Sequence, residues 1–526
     1  MIRKRGAGPQ APRLLLPSDA EVRRYCSGAD LDVDRVALAH TDGRYGARPP
    51  FDPPARYPES PLRGRRALDP GNAAYAAVRE SLRLLELDAA NYDTAEWNPL
   101  GEVVRPGDTV VLKPNLVRDF HESDRSLDAC LTTHGALIRA VADFALLALQ
   151  GRGRLILCDA PQNDADFDAL RRRAGLDELA ELYRVEAGFS LEVYDLRPER
   201  AHKIDGVIVG HEPLPGDPAG YARVDLGAWS AFVEVQALCD RLYGSEYDTR
   251  EIRARHTNGV HEYLVSKTVL SADALLSLPK LKTHKKVGLT VNLKNLVGIN
   301  GNKNWLPHYR VGAPADGGDQ FAGDSVKNRV ERRVVGAFKR VFPGLGRLRS
   351  VIARPLKGLG KAVFGDTERG AIRSGNWHGN DTAWRMTLDL GRVALFADAE
   401  GRLHDAPVRR YFSVVDGIVA GEGNGPLAPT PRAAGLVIAG ADALAVDLVC
   451  ARVMGFDDRK IPLLRRGFER GGLTRCQRER VTCVSNHAAL TGRAIEIVGV
   501  DPPFEPHSGW RGAIERERTL AAGGNR

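Results

Sequence analysis

Three features that mark other classes of protein are scarce or missing in this sequence of 526 residues. No run of about 18 apolar residues occurs, so no membrane-spanning helix is predicted. The basic start is followed by an apolar stretch of only three leucines, at 14–16, which is too short for a secretory signal. The seven cysteines include no Cys-x-x-Cys pair, which argues against a disulfide framework and against an iron–sulfur or zinc site built from neighbouring cysteines. These absences favour a reducing, cytoplasmic environment.

What remains is the composition of a soluble globular protein, with 43% hydrophobic and 27% charged residues. The formal net charge of +8 is concentrated in one place. Residues 325–365 contain eleven Lys or Arg and one acid, a balance of +10, so the rest of the chain sums to about −2. No known nucleic-acid-reading module accompanies these charges, and nucleic acid is therefore not predicted as a partner.

The basic segment 325–365 also has an apolar stripe, because Val330, Val334 and Phe338 recur at helical spacing. A basic amphipathic helix of this kind suits the surface of an anionic membrane, so peripheral membrane association is predicted. Two other interpretations stay open. The segment is equally consistent with an insertion that packs its stripe on the protein, or with a lid that draws in an anionic substrate.

The rest of the sequence repeats one design, in which an apolar run of strand length ends abruptly in polar residues. Examples are "TVVLKPN", "RLILCDAPQND", "ALLSLPKLKTH", "YFSVVDG" and "GLVIAGAD", and helical patterns separate several of them. Continuous apolar strands that alternate with helices predict an α/β fold with a mainly parallel sheet and helices on both faces.

The predicted organisation has five parts. They are an irregular N-terminal arm with one short strand (1–65), an α/β domain (66–310), a basic amphipathic helical insertion (311–374), a second α/β portion that completes the site (375–510) and a flexible tail (511–526).

The polar residues after the strands predict one shared site, because ligands of parallel α/β sheets bind beyond the carboxyl ends of the strands. The most informative stretch is "LPKLKTHKKVGLTVNLKNLVGIN", residues 278–300, which contains no acid. An extended chain places Lys280, Lys282 and His284 on one side. A helix from Leu289 would then point its N-terminus at the same space and favour an anion there.

This stretch supplies most of the predicted site. The predicted catalytic residues are Lys282, His284 and Lys294. The predicted substrate-binding residues are Lys113, Asn115, Lys280, Thr290, Asn295 and Asn424. A solvated basic edge is the alternative interpretation. It leaves unexplained why a lysine such as Lys294 stands in an apolar, amide-lined helix with no acid nearby.

Acidic side chains are expected on the opposite wall. Oxygen ligands with one imidazole suit a hard divalent ion, and the predicted metal ligands are Asp159, Asp416, Glu422, His378 and Asp381. Helix capping is the alternative role for Asp381 and for Asp442. Asp447 falls on an apolar helix and needs a buried partner if it faces the core.

The motifs quoted above, together with "VVLKPNLV" and "VVDGIVAGEGNGPLAPTPRAAGLVIAGADALAVDLVCARVMGFD", resemble the domain-of-unknown-function 362 family over about residues 105–465. The resemblance implies a fold more than a function. Some members carry ferredoxin-type cysteine clusters, which this sequence lacks, so no iron–sulfur cluster is carried over.

A fainter resemblance is to nickel-pincer lactate racemase, which has a lysine ten residues after a histidine, as Lys294 follows His284 here. In that family the lysine holds the cofactor and the histidine is a general acid/base. The family's second histidine is replaced here by "CDAPQND", and His308 is only an offset counterpart of its metal-binding histidine. The cofactor is therefore left unknown, with a divalent metal as the open option.

The sequence thus predicts an enzyme that acts on a small carboxylate- or phosphate-bearing substrate through a Lys/His cluster facing carboxylates. Metal-assisted proton transfer, such as isomerisation or epimerisation, is the expected chemistry. The alternative is a non-catalytic anion-binding, cofactor-binding or iron–sulfur-associated scaffold protein at a membrane surface.

Overall fold

The fold was determined as a computed structural model. The structure describes residues 31–517 except 43, 63, 65–66, 205–206, 246–248, 326–327, 331–371, 471–472 and 498. The first 30 residues of the predicted arm, most of the predicted basic insertion and most of the predicted tail lie outside the described residues.

The strands are numbered in chain order. They are β1 (Arg35–His40), β2 (Thr109–Pro114), β3 (Arg154–Asp159), β4 (Leu191–Asp195), β5 (Glu199–Ile204), β6 (Val207–Pro213), β7 (Tyr221–Asp225), β8 (Leu242–Tyr243), β9 (Glu262–Ser266), β10 (Ala274–Leu278), β11 (Lys280–His284), β12 (Gly288–Thr290), β13 (Tyr309–Arg310), β14 (Arg410–Asn424), β15 (Ala428–Gly440), β16 (Thr482–Ser485) and β17 (Gly492–Arg493).

The described α-helices are α1 (Ala73–Leu84), α2 (Gly135–Leu149), α3 (Phe167–Arg173), α4 (Leu176–Glu186), α5 (Arg250–Arg255), α6 (Lys267–Leu270), α7 (Asn292–Asn295), α8 (Ala383–Phe396), α9 (Ala443–Val453) and α10 (Pro462–Arg470). Short 3₁₀ helices are Ala89–Asn91, Arg125–Cys130, Gly227–Trp229, Ala231–Arg241, Leu296–Ile299, Lys303–Trp305, Pro314–Asp316, Asp458–Lys460, Ala488–Leu490 and Ala494–Glu496.

One eleven-stranded sheet organises the described chain, with the order β17-β16-β1-β15-β14-β10-β2-β3-β4 and the hairpin β11–β12 attached to β14. The five strands from β14 to β4 are parallel to one another. The antiparallel pairs lie mainly toward β17, where β15 pairs with β14 on one side and with β1 on the other. The predicted α/β class with a mainly parallel central sheet is confirmed.

Both faces of the sheet are covered because the strand side chains alternate between two cores. Val111 and Ile156 pack into one core together with α8 and α9. Val110 and Leu155, their immediate neighbours in sequence, pack into the other core with α1 and α2. Strands buried on both sides read as continuous apolar runs, which is the pattern seen in the sequence.

The strand from the N-terminal arm is part of the central sheet. β1 pairs antiparallel with β15 and parallel with β16, which belong to the C-terminal part of the chain. One described helical segment, Ser126–Leu149, is long and apolar enough to cross a membrane. Of its most apolar 18-residue window, 89% is buried inside the protein, as in the core helix of a globular fold. The cysteines at 130, 158, 239, 450, 476 and 483 are free and buried.

The sheet extends unevenly beyond its carboxyl edge. β10 pairs with β2 and with the start of β14. After Pro279 the chain continues as β11 alongside the later part of β14, past the end of β2. Gly288 has a φ of 88°, a conformation that favours glycine, and it opens β12, which pairs back onto β11. The resulting hairpin overhangs the ends of β2 and β3.

Candidate functional site

A cavity of about 240 Å³ lies under this overhang, at the carboxyl ends of β2, β3 and β11. Its wall is strongly basic, because Asp159 is the one acid among the described lining residues. The lining lysines are Lys113, Lys203, Lys282, Lys285, Lys286, Lys294 and Lys303. Two histidines, His284 and His308, also line it.

Strand β11 delivers Lys282 and His284 to the cavity. The ammonium group of Lys282 is fully buried and donates to Asn115 Oδ1 at 3.1 Å and to the carbonyl of Leu131. Burial, together with the nearby charges of Lys280 and Lys294, lowers the pKa of Lys282 to about 7. These interactions hold the amine in place without a carboxylate.

Strands β2 and β3 contribute a buried ion pair to the cavity wall. Lys113 Nζ lies 2.7 Å from Asp159 Oδ1, and the other carboxylate oxygen accepts the backbone N–H of Leu116 at 2.7 Å. Gly298 packs directly on this pair, because a Cβ at that position would lie 2.7 Å from Lys113 Nζ and even closer to the carboxylate. The single acid of the cavity is therefore already neutralised.

Lys294 and Thr290 both face the cavity, although they do not share a helix as predicted. Thr290 ends strand β12, and the helix begins only at Asn292. The Thr290 hydroxyl is buried without a hydrogen-bond partner in the described structure. Lys294 has no hydrogen bond or ion pair with any described residue, and burial and Lys113 lower its pKa to about 8. The cavity wall thus includes both a lysine without a partner among the described residues and a hydroxyl without a hydrogen bond.

The N-terminus of α7 is not available to a ligand, which corrects the prediction that it binds an anion. Asp447 of α9 accepts the backbone N–H groups of Asn292 at 2.8 Å and Leu293 at 3.1 Å. Burial raises the pKa of Asp447 to about 7. Its expected buried partner is therefore the amino end of the helix that carries Lys294, and it fixes that helix against α9.

The two histidines of the cavity have opposite tautomers. Nδ1 of His284 accepts the backbone N–H of Lys286 at 3.0 Å, so the neutral ring carries its proton on Nε2. Nδ1 of His308 lies 2.8 Å from the carbonyl oxygen of Leu306, which can only accept, so Nδ1 is protonated and Nε2 has a free lone pair. Burial keeps both rings neutral by lowering the pKa of His308 to about 3 and that of His284 well below its ordinary value.

Lys303 was not predicted from the sequence as a site residue, and His308 was named only as an offset counterpart of the racemase's metal-binding histidine. Lys303 reaches the cavity from the 3₁₀ turn Lys303–Trp305 and donates to the carbonyls of Ala160 at 2.6 Å and Asn300 at 3.2 Å. Burial lowers its pKa to about 7. The signal that could have identified both residues is the absence of any acid from Pro279 to Ala315, which extends the basic stretch well beyond the predicted helix.

Sequence comparison addresses the same region. The family model described as a domain of unknown function, DUF362, matches residues 199–452. The chain is thus similar to this family over that range. The match runs from β5 into α9 and includes the hairpin β11–β12, Lys294 and Asp447, whereas Lys113 and Asp159 precede it.

A curated relative is also similar to this chain. A thylakoid-associated protein of Synechocystis sp. is 23% identical over 275 residues, which cover 51% of this chain and 60% of that protein. The chain therefore spans less than two thirds of the length of this relative.

Lys280 lies behind the cavity and does not line it. Its ammonium group pairs with Asp416 Oδ2 at 3.0 Å and donates to the hydroxyl of Tyr45 at 2.9 Å. Tyr45 in turn donates to Asp416 Oδ1, and the backbone N–H of His134 donates to Oδ2. Asp416 is occupied by these three donors in the middle of β14, not at a strand end as predicted.

The other predicted metal ligands are also held elsewhere. Glu422 lies in β14 and pairs with Arg432, while Asp381 pairs with Arg310 and Arg385. His378 Nδ1 lies 3.3 Å from the carbonyl of Gly509. In the described part of the chain no group of three or more His, Cys, Asp and Glu side chains is arranged to hold a metal ion. The five predicted ligands therefore do not form one site. Each of the four acids pairs with a Lys or Arg, and His378 lies against a backbone carbonyl.

The structure also shows the positions of four other residues for which the sequence predicted a role. Asn424 ends β14 outside the cavity lining, whereas Asn295 lines it and ties α7 to β2 by donating to the carbonyl of Lys113 at 2.8 Å. Asp442 caps α9 by accepting from the backbone of Leu444 and Ala445. At α8 it is Asn380, not Asp381, that accepts the first backbone N–H groups.

Proposed function

We propose that this protein is an enzyme that binds a small anionic substrate in the lysine-lined cavity and moves a proton within it. The observation that carries the proposal is that one cavity is lined both by Lys294, which has no partner among the described residues, and by the unpartnered hydroxyl of Thr290. Buried polar groups without a partner are costly in a folded protein, and a bound anion would satisfy both at once.

Binding is the first role of the cluster. An anion that accepts from Lys294 and Thr290 also lies among the other lysines of the cavity, where its charge attracts several ammonium groups at once. The cavity is slightly smaller than the roughly 300–1,000 Å³ that is usual for drug-sized ligands, which favours a small molecule.

The histidine tautomers support proton transfer as the second role. Nε2–H of His284 is a donor and Nε2 of His308 is an acceptor on the same cavity. In an isomerisation or epimerisation, His308 takes the proton from the carbon next to a carbonyl or carboxylate. The C–H electron pair moves onto the substrate oxygen, which His284 and Lys294 stabilise, and the proton then returns to carbon.

The negative charge of a bound substrate would raise the pKa of His308 and so make it a better base for this step. Burial is the main cause of its low pKa, and the charges of Lys286 and Lys294 lower it further. An anion that neutralises these lysines removes that repulsion, so the pKa of His308 rises toward the range in which imidazole is an effective base.

The lysine cavity itself offers a poor donor set for a divalent ion, because its one carboxylate is paired with Lys113. The proposed proton transfer therefore uses only side chains of the protein.

The test begins with mass spectrometry of whatever copurifies with the native protein at low salt. The compound found is then incubated with the protein in D2O, and solvent deuterium at carbon is followed by NMR. We expect deuterium exchange with the wild type and loss of both binding and exchange with Lys294→Met. Lys460→Met is the control and should exchange like the wild type, because Lys460 is exposed and does not line the cavity. Tight binding without exchange would instead support the non-catalytic anion binder.

A second candidate property is peripheral association with a membrane. It is supported by the +10 balance of residues 325–365 and by the thylakoid association of the relative from Synechocystis. Each Lys or Arg near an anionic surface contributes about 1 kcal/mol, so several together suffice for reversible binding. We expect salt-sensitive cosedimentation with vesicles containing anionic lipid, lost on deletion of 325–365. Equal cosedimentation with and without the segment would refute it.

A further inference from the structure

We infer that the ligand of this cavity carries at least two negative charges and presents them to Lys282, Lys294 and Lys303. The inference rests on the proposed function, because it assumes that the cavity binds an anion, and it narrows the substrate to phosphorylated or polycarboxylate small molecules.

The first observation is that these three lysines have no carboxylate partner among the described residues. Lys282 donates to an amide oxygen and a carbonyl, and Lys303 donates to two carbonyls. Lys294 has no hydrogen bond to any described residue. Neutral acceptors orient an ammonium group but leave its charge uncompensated.

The second observation is that the nearby acids are already occupied. Asp159 pairs with Lys113 at 2.7 Å. Asp164, next to the cavity, pairs with Lys203 at 2.9 Å and also with Arg118. Neither carboxylate can neutralise another lysine without releasing its own partner, so no carboxylate among the described residues balances the charges of Lys282, Lys294 and Lys303. A bound anion would supply that balance.

The three lysines also repel one another. Lys294 lowers the pKa of both Lys282 and Lys303, in addition to the larger effect of burial. A ligand with one charge leaves most of this repulsion in place, whereas each additional charge on the ligand relieves more of it. Affinity should therefore rise steeply with the charge of the ligand, which a site built for a monoanion would not show.

The size of the cavity limits the candidates further. A volume of about 240 Å³ holds a small molecule with its charges close together. A phosphate monoester, a diphosphate or a short polycarboxylate fits this description. The phosphates and the polycarboxylates share the property that the lysines recognise. Each carries two or more negative charges on oxygen atoms within a small volume.

The experiment is a calorimetric titration of the full chain at pH 7 with propionate, succinate and tricarballylate, which carry one, two and three carboxylates on similar carbon chains. Inorganic phosphate and pyrophosphate form a second series that separates the phosphate class from the carboxylate class. We expect the affinity to increase at least tenfold with each added charge in at least one series, and to fall as salt is added.

Variants of Lys282 and Lys303 test whether these lysines cause the dependence of affinity on ligand charge. Lys282→Met and Lys303→Met should weaken succinate or pyrophosphate binding at least tenfold while changing propionate binding much less, and Lys460→Met should change neither. Thermal unfolding of each variant shows whether it is folded. Propionate affinity equal to that of the multivalent anions would overturn the inference but leave the proposed function standing. Absence of binding by every anion would refute both.

Discussion

His284 and His308 line one cavity with opposite hydrogen-bonding states at Nε2. The ring of His284 is held by the backbone N–H of Lys286, and that of His308 by the carbonyl of Leu306. The first histidine therefore offers a proton to the cavity and the second offers a lone pair. Because the backbone fixes both tautomers, the two rings cannot exchange these roles without rearrangement of the chain.

Replacement of His308 by Gln should separate binding from chemistry. A Gln side chain can accept a hydrogen bond near the position of Nε2 but cannot take up a proton, so we expect substrate affinity within a few-fold of wild type. Deuterium exchange into the copurified ligand should fall by about 10²–10⁴-fold, the usual contribution of a positioned acid or base. His284→Gln, which retains a donor, should lose less. Unchanged exchange in His308→Gln would remove this residue from the mechanism.

Thr290→Val is expected to weaken binding while preserving or raising stability. The hydroxyl of Thr290 is buried and has no partner in the described structure, so its removal relieves a desolvation cost of about 1 kcal/mol. The same change removes a donor to the bound anion. We expect a Tm equal to or above that of wild type, and several-fold weaker pyrophosphate binding by calorimetry. A clear loss of stability would show that the hydroxyl has a structural partner.

Lys294 should contribute a measurable pH dependence to stability. Its pKa is about 8 in the folded protein and about 10.5 in the unfolded chain, so between these values the folded state binds fewer protons. Stability from this group is therefore full above 10.5 and is lost as the pH falls through 8.

We expect the free energy of unfolding between pH 8 and 9 to rise more steeply in the wild type than in Lys294→Met, by up to about 1.4 kcal/mol per pH unit. Titrating groups that Lys294 does not influence are common to both proteins and cancel in the difference. Lys282 and Lys303, whose pKa Lys294 lowers, add to the difference in the same direction. Saturating pyrophosphate should reduce the difference, because a bound anion raises the pKa of the lysine. Parallel pH profiles in the ligand-free proteins would contradict the lowered pKa.

Gly298→Ala tests the buried ion pair of the cavity wall. An added Cβ would lie 2.7 Å from Lys113 Nζ and also press on Asp159. Both side chains are buried and mutually bonded, so we expect a loss of about 1–3 kcal/mol in stability and weaker anion binding. Gly210→Ala is the matched control, because a Cβ there meets no atom within 4 Å. Equal stability of the two variants would mean that the ion pair can move aside.

Much of the architecture could be predicted from local patterns. Apolar runs that end in polar residues identified β2, β3, β10, β14 and β15, because strands buried on both faces must be apolar throughout. The same rule placed Lys113, Lys282 and Lys294 at one edge of the sheet, where the cavity lies. These three lysines are visible in sequence because a lysine in an otherwise apolar strand or helix needs a partner or a ligand if it is buried.

The role of each charged group depended on partners that are distant in sequence. Asp416 meets Lys280 and Tyr45, and Asp447 meets the start of α7, across separations of 136 to 371 residues. No spacing rule predicts such pairs, since they arise only when strands and helices pack. The sequence by itself thus determined the sheet and the excess of lysines at its edge. Only the tertiary structure decided which carboxylates are neutralised, which lysine stays unpaired and which histidine nitrogen carries the proton.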